Sequence, residues 1–191
     1  MPTLKDTTLP HDKLQLDGAA FENPRERLDK RSLRELADSI DQHGLFKKLL
    51  VWQTTDPETG EELNLLIGGG RRWRAIGMLI DEGKANGLAK KVPVRIVKAK
   101  TVQAARVKAL VDNLHTEEMS SYELAKSMQL LKDEGMQQKE IAKQVNKSAT
   151  WVSRKLKAFN KTTEFVRRAW RSGKLPDDDV ESLSKCEPAE Q

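Results

Sequence analysis

Residues 138–159, QKEIAKQVNKSATWVSRKLKAF, carry a helical apolar period that is interrupted once near the middle. Ile141, Ala142 and Val145 fall on one face of a short first helix. Asn146-Lys147-Ser148 breaks the period, and asparagine tolerates the left-handed conformation that such a turn needs. Ser148 is placed to cap a second helix from Ala149, whose Val152 and Leu156 point inward. The small Ala142 lets the two helices cross closely, with Trp151 and Phe159 available to complete the packing. The spacing predicts a helix-turn-helix, a motif whose second helix can lie in a DNA major groove.

On that reading Ala149, Thr150, Trp151, Ser153 and Arg154, just after Ser148, face base edges. Arg154 is the candidate for a bidentate contact to guanine. Lys139, Lys143, Lys147, Lys155, Lys157 and Lys161 are candidates for phosphate contacts. Trp151 fits helix packing as well as it fits a DNA contact. The surrounding charge agrees with a polyanionic partner: from Gln138 to Leu175 eleven Lys or Arg stand against two acids, a net of +9. From Asp177 onward six acids and one lysine give −5. Asp177-Asp178-Asp179 reads as a helix start, where acids favour the positive end of the dipole.

The 191 residues have room for one to two small domains, and 37% hydrophobic with 33% charged residues is a globular composition. Cys186 is the one cysteine, and His11, His43 and His115 lack ligand spacing, so neither a disulfide framework nor a zinc cluster is expected. No apolar run approaches the ~18 residues of a membrane span and no signal peptide opens the chain, so a cytoplasmic protein without a membrane partner is expected.

Working towards the N-terminus, the helical half gives way near residue 113 to mixed patterns. Ser32–His43 has a helical stripe of Leu33, Leu36, Ala37 and Ile40, closed by Gly44. Leu49–Gln53, Leu63–Ile67 and Val92–Val97 read as strands, and Arg71–Ile80 and Val102–Leu114 as helices. The division predicts an arm over 1–18, an α/β domain over 19–112, a helical domain over 113–184 and an acidic tail over 185–191. Further helices are expected near 121–134, 163–172 and 178–184.

The second informative stretch is Leu65-Leu66-Ile67-Gly68-Gly69-Gly70-Arg71-Arg72-Trp73-Arg74-Ala75, where a strand ends in glycines and opens a helix. Backbone N–H groups at such a junction point outward near the positive helix end, and adjacent arginines complete a phosphate-type anion site. It is neither a Walker loop nor a dinucleotide fingerprint. The glycines also suit a tight turn, with the arginines solvated or on DNA phosphate.

From Phe21 to Leu183 the sequence resembles the ParB/Noc family of partition proteins. The likeness lies in Asn23-Pro24-Arg25 with Ser32–Ile40 and Gly44-Leu45, in the Gly69–Ala75 box, and in Asp112-Asn113-Leu114 followed by Glu117-Glu118-Met119 and Glu123. The resemblance implies an α+β protein: a small ParB/sulfiredoxin-like α/β domain followed by an all-α helix-turn-helix domain. It further implies CTP with Mg2+ in the N-terminal domain. Arg25, Gly68, Gly69, Gly70, Arg71, Arg72 and Asn113 would form the nucleotide site, with Asp112 and Asn113 at the metal. Hydrolysis, where present, would be slow. Lys139, Lys147, Ser148, Ala149, Thr150, Trp151, Ser153, Arg154 and Lys157 would bind a palindromic duplex, with two copies of the chain on it and a ParA-type ATPase as a further partner. Partition, transcriptional regulation or both would be the role. Gly70 stands where the family's box has glutamate, and Thr116 where its third motif has arginine. Full-length family members also carry a C-terminal dimerisation domain, so a short regulator and a part of a longer protein both stay open. The alternatives are a nucleotide hydrolase or nuclease on the same fold, and a short plasmid or phage repressor without a nucleotide.

Overall fold

The computed structural model describes residues 5–16, 30–56, 58–116 and 119–187. The chain divides into two compact units, Met1–Ala105 and Arg106–Gln191.

The first unit is built on a four-stranded sheet in the order β1-β4-β2-β3, from β1 (Lys5–Leu9), β2 (Leu49–Thr55), β3 (Glu62–Gly68) and β4 (Val92–Val97). β2 and β3 pair antiparallel, β1 pairs antiparallel with β4, and β2 runs parallel to β4. Helices α1 (Lys30–His43) and α2 (Gly70–Asp81) pack on one another. Their Ala37, Ile40, Ala75, Ile76 and Leu79 share a core with Leu49, Val51, Leu66, Val92, Val94 and Ile96 of the sheet. Alternation along β4 sends Val92, Val94 and Ile96 into that core and leaves Arg95 exposed.

Residues 5–16 correct the expectation of an arm. β1 forms an edge strand, a 3-10 turn follows at His11–Lys13, and Leu14 and Leu16 enter the core. The cause is long-range pairing: the Asp6 carboxylate accepts from Arg95 Nε at 2.8 Å and from Lys48 Nζ at 2.6 Å. Hydrogen bonds from Arg95 first, and then from Lys48, hold that carboxyl far below its ordinary range. His11 stacks on Trp73 of α2 with ring centroids 4.8 Å apart, and its Nε2 lies 3.0 Å from the Trp73 carbonyl.

The division between units falls inside α3 (Val102–Thr116), seven residues before the predicted boundary. From Val107 onward the apolar side chains of this helix join the helical core instead of the sheet. The second unit continues with α4 (Ser121–Asp133), α5 (Gln138–Gln144), α6 (Ala149–Asn160), α7 (Glu164–Arg171) and α8 (Asp177–Leu183). Ser120 and Glu123 form a reciprocal capping box at the start of α4. One core gathers Leu124, Met128, Leu131, Ile141, Ala142, Val145, Val152 and Leu156 with Val107 and Leu110. A second gathers Tyr122, Ala125, Ala158, Val166, Trp170 and Val180. Among the described residues no helix is long and apolar enough to cross a membrane.

Candidate nucleic-acid interface

The turn between α5 and α6 forms through the residues that predicted it. Asn146 takes the left-handed conformation at φ 53°. The next amide, Lys147 N–H, reaches back to the Ala142 carbonyl at 3.0 Å and closes the end of α5. Ser148 accepts the Trp151 N–H on its Oγ at 3.1 Å and so caps α6. Val152 and Leu156 anchor one face of α6 in the core, with Ala142 and Ile141 opposite them. That burial orients the other face outward.

The outward face of α6 lines one side of a broad groove of about 890 Å³, made by Ala149, Thr150, Ser153, Arg154 and Lys157. The other side comes from Lys132, Gln137, Gln138 and Lys139, near the end of α4 and the start of α5. The groove thus places Lys132, Lys139, Arg154 and Lys157 together with small polar side chains, the set that suits phosphate contact around a base-reading helix. Lys132 and Gln137 carry no sequence signal of their own. Their place depends on how α4 crosses α6.

Two of the expected contacts change role. Lys155 is 9% exposed in its side chain, and its ammonium lies 2.9 Å from Asp177 and 3.3 Å from Glu181 of α8. It is a buried structural cation, not a phosphate grip. Asp177 also accepts from Trp170 Nε1 at 2.8 Å and from Ser121. Burial alone would raise that carboxyl, but the hydrogen bonds from Ser121, Trp170 and Lys155 outweigh it and hold the group below its ordinary value. Trp151 is half-buried against the helical core, with the exposed Lys147 ammonium 5.6 Å from its ring centroid, so packing is its principal role. Lys143 and Lys161 are exposed.

In the first unit, Gly69 is the N-cap of α2 at φ 88°, and it is buried with Gly68 and Gly70. A Cβ on Gly69 would come within 2.7 Å of Leu49 Cδ2, so the turn needs glycine for the backbone and for space. Arg72, expected as a nucleotide ligand, has its guanidinium partly committed within the fold. It is buried, and its Nη1 donates to the carbonyls of Lys47 at 2.7 Å and Lys48 at 2.9 Å, bracing the approach to β2. Arg71 Nη2 donates to the Ser32 hydroxyl at the start of α1. Arg25 lies outside the described residues. Asp112 and Asn113 are half-buried on the part of α3 that belongs to the second unit. Among the described residues no three His, Cys, Asp or Glu gather as a metal cluster.

Comparison with known proteins places these features in a lineage. The model of the ParB N-terminal domain matches residues 5–114. The chromosome-partitioning protein Spo0J of Thermus thermophilus is 35% identical over 168 residues, which cover 88% of this chain and 56% of that protein. The nucleoid occlusion protein of Bacillus velezensis is 31% identical over 161 residues, covering 84% of this chain and 52% of its own length. The chain therefore spans about half the length of the curated relatives it matches. Among solved structures, the C-terminally truncated chromosome-partitioning protein ParB from Caulobacter crescentus, complexed to the centromeric parS site, is similar in fold. Its TM-score is 0.57 at 22% identity, covering 94% of this chain and 84% of that one.

Proposed function

Because the chain belongs to the ParB N-terminal domain family, we propose that it binds duplex DNA through α5 and α6 in chromosome or plasmid partition, transcriptional regulation or both. The observation that carries the reading is the groove of Lys132, Lys139, Arg154 and Lys157 around the outward face of a capped, core-anchored helix. Ala149, Thr150 and Ser153 keep the front of α6 small enough to approach base edges, and Arg154 offers the planar fork that matches guanine. Lys139, Lys147 and Lys157 hold phosphates and set the register. A palindromic site would seat two copies related by a two-fold axis, associated with the nucleoid or a plasmid.

The same reading assigns CTP with Mg2+ to the first unit. The start of α2 offers backbone N–H groups at Gly70 and Arg71 beside the Arg71 side chain, a donor set that fits a triphosphate. Arg72 supports the turn from behind. The commitment of Arg72 to two carbonyls favours a second reading, a repressor that works without nucleotide.

Selection from a random duplex pool, followed by titration with and without CTP and Mg2+, tests both. Arg154→Ala should lose about 1–3 kcal/mol of discrimination at one base position. Lys157→Ala should weaken all duplexes alike and lower the salt slope by about one. Equal binding by parent and both variants would sink the helix-turn-helix assignment. A DNA affinity and melting temperature indifferent to millimolar CTP would select the repressor reading.

A further inference from the structure

Glu181 of α8 places its two carboxylate oxygens on different cations. Oε1 lies 3.3 Å from Lys155 Nζ, and Oε2 lies 3.6 Å from Arg154 Nη1. The three side chains differ sharply in exposure: 9% for Lys155, 19% for Glu181 and 60% for Arg154. Lys155 is itself fixed by Asp177 at 2.9 Å, and Asp177 is fixed by Trp170 and Ser121. A buried cation therefore holds Glu181 from behind, and the carboxylate presents its second oxygen to an arginine that looks into the groove.

We infer that Glu181 is a built-in competitor of DNA, an internal anion that holds the Arg154 guanidinium against α8 and must be displaced before that guanidinium engages a base or phosphate. The inference rests on the groove being the DNA-binding face. Both acceptors are anionic, and one guanidinium fork cannot give its full set of donors to both at once. Because Lys155 already fixes Glu181, this acceptor needs little further ordering to hold Arg154, unlike a pair of two mobile surface side chains. The size of the effect is bounded by what a pair with one exposed member contributes, about 0.2–1 kcal/mol or a factor of up to about five. Lys155 keeps Asp177 when Glu181 is neutralised, so α8 retains an anchor.

A double-mutant cycle on duplex binding tests this. Glu181→Gln should tighten binding about two- to five-fold, and the gain should vanish when Arg154→Ala is already present. Asp178→Asn, which removes an exposed charge from the same helix, serves as the control for general electrostatics and should give a smaller gain. No tightening by Glu181→Gln, or an equal gain in the Arg154→Ala background, would overturn the proposal. If Glu181→Gln unfolds by tryptophan fluorescence, Glu181→Asp replaces it, drawing the carboxylate back from Arg154 while leaving a charge for Lys155. The same direction is expected, and no gain overturns the proposal. Failure of the parent chain to bind any duplex is a different result, which removes the DNA-binding reading itself.

Discussion

Gly69 shows how a single residue can be constrained twice. Its φ of 88° excludes most side chains on backbone grounds, and the 2.7 Å approach of Leu49 Cδ2 excludes a methyl group on steric grounds. Gly44 has a similar φ of 78° but nothing within 4 Å of a would-be Cβ. Gly69→Ala should therefore cost about 2–4 kcal/mol, adding overpacking to backbone strain, whereas Gly44→Ala should cost only about 1–2 kcal/mol. Urea denaturation of the two variants measures the difference. Equal costs would mean that Leu49 moves aside freely. Arg72 makes the related point for a charged residue: it is buried, and its Nη1 donors satisfy the Lys47 and Lys48 carbonyls.

At the scale of the element, α6 depends on a turn made by three residues. Asn146 supplies the left-handed step, the Lys147 amide closes α5, and Ser148 caps α6. Ser148→Ala removes the acceptor of the Trp151 N–H and should destabilise the helical unit by about 1 kcal/mol. Thermal unfolding followed by circular dichroism reads that loss, and an unchanged midpoint would mean that water caps the helix equally well. β1 is the opposite case. Its residues Lys5–Leu9 are mostly exposed, and no apolar alternation marks the segment as a strand. It is held by a ladder to β4, almost ninety residues further on, and by Asp6 between Arg95 and Lys48.

At the scale of the whole molecule, each unit has its own core and two tryptophans, Trp52 and Trp73 in the first and Trp151 and Trp170 in the second. Asp177 links α4, α6, α7 and α8 through Ser121, Lys155 and Trp170. Its carboxyl is held below the ordinary 3.8, so the stabilisation is fully present above about pH 4 to 5. It is lost as pH falls through the lowered folded value, because the unfolded chain then takes up the proton more readily. Asp177→Asn should be less stable than the parent at neutral pH, with the gap closing in acid. Chemical denaturation at pH 7 and pH 3, followed by tryptophan fluorescence, checks this, and a gap that is constant with pH would refute it.

The amino-acid sequence by itself determined the helices of the second unit, the helix-turn-helix, three of the four strands and the glycine turn. Those features rest on apolar period, capping residues and glycine or asparagine punctuation, which act over a few residues and so can be read along the chain. Tertiary structure alone decided which charges are buried. Lys155 and Arg154 are neighbours in one basic block, yet one is buried between Asp177 and Glu181 while the other faces the groove. Helix geometry turns adjacent side chains about 100° apart, and the partner that neutralises Lys155 comes from a helix more than twenty residues away. Local pattern sets the elements, but the packing of α8 on α6 sets which of their cations remains for a ligand.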